Sequence, residues 1–228
     1  MKKISNWIYK EYGNLSSFDW TFLSAMIALQ VIVFMVCPDT PLNIIAGIAG
    51  VISVVLCAKG KISFYFIGFV QTITYLVLSW NASFYGEVIE NLWYFVTMIW
   101  GIFVWKKNLV EDKEGGQQVE SLKFTIDQWI DALAGTAFAT AAMGFALALI
   151  GSAQPYTDAA TNVMAIFAQI LMVKRYREQW LWWLMIDLLC IKLWWVAGNW
   201  SMVSMYVAWT INCIYGWVNW SKEARKNA

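Results

Sequence analysis

The chain has 228 residues, of which 60% are hydrophobic and only 14% charged, and its net charge is +1. A soluble domain is about half apolar and about a quarter charged, so this composition excludes an ordinary soluble domain and marks an integral membrane protein with no nucleic-acid partner. Histidine is absent, which excludes a His-ligated haem, an H-E-x-x-H zinc site and a Ser-His-Asp triad.

A membrane helix needs about 20 mostly apolar residues. In chain order, spans are predicted over Phe18–Cys37, Leu42–Ala58, Ile62–Trp80, Phe84–Trp105, Ile126–Ile150, Ala159–Val173, Trp180–Ala197 and Trp200–Trp220. The first is read as a retained span, because no small-residue cleavage site follows it and its flank reads CPDTP. An extra N-terminal segment and span thus occupies 1–38, a first three-helix unit 39–107, a cytoplasmic linker and linker helix 108–154, and a second three-helix unit with the C-terminal tail 155–228.

The connections support this order. Lys and Arg occur at the N-terminus (Lys2, Lys3, Lys10), between spans two and three (Lys59, Lys61) and after span four (Lys106, Lys107, Lys113, Lys123). They return between spans six and seven (Lys174, Arg175, Arg177) and at the C-terminus (Lys222, Arg225, Lys226). The intervening connections, around Asp39, Asn81, Tyr156 and Gly198, contain neither residue. Alternation of this kind predicts eight spans with both termini inside. Pro38, Pro41 and Pro155 all fall in the non-basic connections, so no span is interrupted. The polar stretch Lys106–Lys123, which includes EDKEGGQQVE, reads as a solvated cytoplasmic linker.

Few enzyme signatures remain. There is no G-x-x-x-x-G-K-[ST] and no C-x-x-C. Cys37, Cys57, Cys190 and Cys213 lie in or at the ends of apolar segments and read as buried small hydrophobes, with no disulfide framework, metal site or cofactor expected.

An internal repeat is visible at an offset of 115 residues: Tyr94 meets Trp209, Trp100 meets Tyr215, Gly101 meets Gly216, and Trp105 meets Trp220. Two copies that both start outside and end inside, joined by one more span, predict parallel repeats.

Polar groups within spans are costly, about 2.5–3.5 kcal/mol for a central charge on insertion scales, and face the bundle interior or a wet cavity. Among them are Gln71, Glu87, Glu90, Asn91, Gln169, Asp187, Lys192 and Asn212. Helical spacing places Trp183, Asp187, Cys190 and Trp194 on one face, Tyr206, Trp209, Asn212 and Gly216 on another, and Asn91, Tyr94, Met98 and Trp105 on a third. Aromatic faces that carry amides and a carboxylate suit a flat polar heterocycle, and a cationic ring would gain further from Asp187. The expected substrate-binding set is Gln71, Asn91, Tyr94, Gln169, Trp182, Trp183, Asp187, Trp209, Asn212 and Tyr215. Tryptophans near span ends, such as Trp80, Trp105, Trp180, Trp200 and Trp220, read as interface anchors, and Gln71 could equally bridge helices.

The stretches YGEVIENLWYF from Tyr85, QILMVKRYREQWLWWLMID from Gln169 and YVAWTINCIYGWVNW from Tyr206 resemble the PnuC family of vitamin B3 precursor transporters. The resemblance implies an all-α membrane fold similar to that of the SWEET sugar transporters, two three-helix bundles joined by a linker helix. It implies uptake of nicotinamide riboside across the bacterial inner membrane by facilitated diffusion and alternating access, with a cytoplasmic riboside kinase trapping the product. A homo-oligomer is compatible with it. SWEET transporters carry a hinge proline in each bundle, whereas no span here contains proline, so hinging would fall to Gly47, Gly50, Gly101 or Gly216. The competing readings are a same-fold carrier of thiamine, riboflavin or a sugar, and a proton-coupled porter using Asp187 or Glu90. A membrane enzyme or sensor is disfavoured by the missing histidine and metal motifs.

Overall fold

The computed structural model describes residues 2–36, 40–83, 85–111, 115–152, 154–196, 198 and 200–226. Cys37, Pro38, Asp39, Phe84, Lys113 and Ala197, named above as span ends or loop residues, lie outside the described residues. Among the described residues the regular elements are helices and one antiparallel pair of short strands. The elements are α1 (Lys2–Tyr12), α2 (Ser17–Val36), α3 (Pro41–Ala58), α4 (Ser63–Asn81), α5 (Tyr85–Lys107), β1 (Leu109–Glu111), β2 (Gln117–Val119), α6 (Ile126–Leu149), α7 (Pro155–Val173), α8 (Gln179–Val196) and α9 (Trp200–Lys226). Among the described residues α2 to α7 are long and apolar enough to cross a membrane. Helices α8 and α9 have the length, with 18 and 27 residues. Their tryptophans and the polar Asp187, Lys192 and Asn212 make them less apolar.

Helix starts follow local chemistry. Pro41 sits in the first turn of α3, and Thr40 Oγ1 accepts from the Asn43 N–H. Thr125 and Gln128 form a reciprocal capping box that opens α6. Helix α7 begins at Pro155, four residues before the predicted span, because proline is pre-organised for a first helical turn.

The chain divides into two compact units, residues 1–120 and 121–228. In the first, α2 packs on α3, α3 on α4, and α4 on α5. In the second, α6 packs on α7, α7 on α8, and α8 on α9. The core of the second unit gathers small and aliphatic side chains round one buried tryptophan, with partly buried rings packed against it. Trp182 stacks on Trp129 at 5.8 Å between ring centroids and meets Phe167 at 5.4 Å, while Phe124 and Tyr176 pack beside them.

Two elements of the first unit differ from the sequence expectation. No helix is predicted before the first span, yet 2–12 form α1, whose Ile4, Trp7 and Ile8 have helical spacing. The stretch Lys106–Lys123 is not a plain solvated connection: β1 and β2 pair within it, and Gly116 and Val119 are buried. The cause lies in the α3–α4 turn. Lys61 is fully buried there, and its ammonium donates to Asn14 Oδ1 and, at 2.6 Å, to the Gln117 carbonyl. Buried Glu11 accepts the Ser63 N–H at 2.7 Å at the start of α4, where a carboxylate also meets the positive end of the helix dipole. The Val119 N–H closes the turn by donating to the Gly60 carbonyl at 2.8 Å.

The repeat persists at the level of contacts, at the same offset of 115. Gly60 and Arg175, in the α3–α4 and α7–α8 turns, are both left-handed, at φ +65° and +69°. Arg175, a non-glycine residue, is held there by Leu122, whose N–H donates to the Arg175 carbonyl and whose carbonyl accepts the Arg177 N–H. Tyr65 packs on the helix backbone at Gly101 and meets Trp105 edge-on; Trp180 packs on Gly216 and meets Trp220 edge-on. Thr72 Oγ1 lies 3.6 Å from Met98 Sδ, and Asp187 Oδ2 lies 3.3 Å from Cys213 Sγ.

Candidate functional site

In the first unit the expected residues are satisfied largely within their own helices. Asn91 is buried, and its amide donates to the Glu87 carbonyl at 2.8 Å, one turn earlier on α5. The Tyr94 hydroxyl donates to Glu90 Oε1 at 2.6 Å, again within α5. Gln71 of α4 lies over Gly50 of α3, where an added Cβ would come within 2.8 Å of its amide nitrogen. The Trp93 indole N–H, which sequence reasoning passed over, is buried with no hydrogen-bond partner among the described residues.

The second unit is chemically richer. Helices α8 and α9 pack together, and the contact brings their polar groups into apposition. Asp187 is 4% exposed and Oδ2 accepts from the Cys213 thiol. Cys190 and Trp194, on the same face of α8, both hydrogen-bond with Tyr206 of α9. The Tyr206 ring stands edge-on to Trp209 at 5.3 Å and 80°. Trp209 Nε1 and Thr210 Oγ1 are buried and have no hydrogen-bond partner among the described residues. Asn212, next to Cys213, is buried, as is Gln169 of α7. The described part of the molecule therefore joins a buried carboxylate, a thiol and two aromatic rings across α8 and α9.

The remaining expected residues have other surroundings. Trp182 is 1% exposed in the aromatic core, and its indole N–H donates to Thr136 of α6 at 3.3 Å. Five positions from Asp187, it projects well round the helix from the carboxylate. Trp183 is half-buried and packs against that same core. Tyr215 is half-buried, and its carbonyl accepts from the Asn219 amide.

Cys213 was read from sequence only as a small buried hydrophobe. It is buried, and its thiol also donates to Asp187. The available signal was its spacing, four residues after Trp209 and seven after Tyr206, which places it on the aromatic face of α9. Among the described residues no three Cys, Asp or Glu side chains gather as a metal ion would require.

Comparison with known proteins follows the same residues. A family model described as "Nicotinamide mononucleotide transporter" matches residues 40–222. The nicotinamide riboside transporter PnuC of Haemophilus influenzae is 35% identical over 210 residues, covering 92% of this chain and 92% of that protein. PnuC of Neisseria mucosa is 33% identical over 230 residues, covering 97% of this chain and 88% of the relative. A crystal structure of the vitamin B3 transporter PnuC superposes with a TM-score of 0.84 at 32% identity, covering 97% of this chain and 98% of that one.

Proposed function

The chain belongs to the PnuC family of membrane transporters, and from that membership we propose that it takes up nicotinamide riboside across the bacterial inner membrane. The observation that carries the reading is the α8–α9 face. Asp187 is buried without an ion-pair partner among the described residues, beside the Tyr206–Trp209 ring pair. An unmatched carboxylate among indole and phenol rings suits a positively charged pyridinium attached to a sugar. Trp209 and Trp183 supply stacking surface, Asn212 and Gln169 bond the carboxamide or the ribose hydroxyls, and Asp187 balances the ring charge. Tyr215 completes the set in the second unit, where Trp182 supports it from the aromatic core, and Gln71, Asn91 and Tyr94 are the first unit's own candidates.

The family model is described by the mononucleotide, whereas the curated relatives are named for the riboside. The chain's own chemistry favours the riboside. Lys192 is the only Lys or Arg inside the eight predicted spans, and its side chain is exposed. A phosphate monoester in the interior would meet no cation, at a cost of several kcal/mol.

Transport in this reading is facilitated diffusion by alternating access through eight spans, with both termini cytoplasmic, as the basic connections require. A cytoplasmic riboside kinase keeps the gradient inward by phosphorylating the product. Self-association into a homo-oligomer is compatible with the exposed apolar helix faces. The test is calorimetric titration of the detergent-purified chain with nicotinamide riboside, the mononucleotide, nicotinamide, thiamine and glucose. Saturable binding of the riboside alone supports the reading; tighter binding of thiamine or glucose by folded protein overturns it.

A further inference from the structure

A carboxylate buried in a membrane-spanning helix needs either a cation or donors. Asp187 has no cation within ion-pair reach among the described residues, and its only hydrogen-bond donor among them is Cys213, at 3.3 Å. The Tyr206 hydroxyl is committed to Cys190 and Trp194. We propose that Cys213 is a positioning residue for recognition of the substrate's positive charge. Its thiol holds one oxygen of Asp187 and leaves the other to balance the ring cation. This rests on the role given to Asp187 above.

The chemistry of the pair fits that task. A thiol is a weak donor, so it fixes the carboxylate's rotamer without neutralising it. An arginine or lysine in the same place would cancel the charge that discriminates cationic from neutral ligands. The repeat separates what the fold supplies from what is specific here. At the equivalent positions Thr72 donates to the Met98 thioether at 3.6 Å, an oxygen–sulfur contact between the middle and last helices with no charge on either side. The contact belongs to both repeats. The carboxylate, and the reversal that makes sulfur the donor, belong to the second alone.

The test uses the full chain in detergent and two ligands, nicotinamide riboside and its reduced dihydro form, whose ring is neutral. Cys213→Ala is expected to weaken the oxidised riboside about 5–20-fold while leaving the reduced form within about twofold, a loss between that of an ordinary hydrogen bond and one to a charged group, as suits a weak donor on a carboxylate. Cys213→Ser, which restores an oriented donor, is expected to recover the oxidised riboside to within about threefold. Thermal unfolding and size-exclusion profiles select folded protein, and Cys213→Val is read in place of an alanine variant that fails to fold. Equal loss of both ligands in the alanine and serine variants makes Cys213 a packing residue and overturns the proposal. So does an unchanged riboside affinity in Cys213→Ala when Asp187→Asn weakens it. If Asp187→Asn itself leaves the riboside unchanged, the role of Asp187 fails, and the positioning role with it.

Discussion

Trp180 of α8 packs directly on the backbone of α9 at Gly216, so that any Cβ there would run into the indole. Indole and helix backbone are both rigid, so Gly216→Ala is expected to destabilise the second unit by about 1–3 kcal/mol. Gly101→Ala, which meets the Tyr65 ring in the same way, is expected to behave alike. Gly135 has nothing within 4 Å of its added Cβ. Gly135→Ala should be neutral or stabilise α6 by up to about 1 kcal/mol, because alanine is the better helix former. Thermal midpoints of the three variants in one detergent check this.

Trp182 is expected to report on folding before it reports on ligand. Its ring is enclosed by Trp129, Phe124 and Phe167. Trp182→Ala should cost about 3–5 kcal/mol through the cavity it leaves. Trp182→Phe keeps a ring and loses the bond to Thr136, for about 1 kcal/mol. Unfolding and titration of both variants, with Trp209→Ala alongside, separate the two roles. Trp209→Ala should leave the midpoint less affected and lose riboside affinity about tenfold.

The α1 latch is predicted to be strong where it is buried and weak where it is wet. Lys61→Ala removes a fully buried ammonium from Asn14 and the Gln117 carbonyl. The loss is expected to be about 1–3 kcal/mol, the scale for leaving buried acceptors unsatisfied. Lys10→Ala removes only its surface pair with Glu111, worth less than about 1 kcal/mol. Limited proteolysis near Gly13 should accelerate sharply in the first variant and little in the second.

For a passive carrier, proteoliposomes loaded with unlabelled riboside should take up labelled riboside by counterflow with no pH gradient. An imposed gradient should not drive accumulation above equilibrium. Accumulation that follows the gradient and disappears in Asp187→Asn would instead assign proton coupling to that carboxylate. The mononucleotide should compete at least about 100-fold more weakly than the riboside, the discrimination expected when a dianion meets no cation in an apolar interior.

Much was legible in one dimension because it depends on run lengths and local chemistry. The apolar runs place α2 to α7, and alternating basic connections set the expected topology. The 115-residue offset that pairs Gly101 with Gly216 also pairs the turns and contacts that surround them. Local capping at Thr40 and Thr125 is likewise readable from the residues themselves. The two misjudged stretches, α1 and the strand pair, are short and polar. Their order comes from Lys61 and Glu11, which lie in distant parts of the chain and become anchors only when the α3–α4 turn is buried.

Within the candidate site, sequence alone determined which residue types the spans carry: aromatic faces, scarce amides and one carboxylate on α8. Only tertiary structure decided how each helix is rotated about its axis and therefore what meets what. Rotation turns Trp182 toward α6 and Asp187 toward α9, and it makes Cys213 the partner of that carboxylate. Helical periodicity says which residues share a face. The choice of which face meets a given neighbour rests on packing summed over many side chains from several helices, and no single stretch of sequence contains that sum.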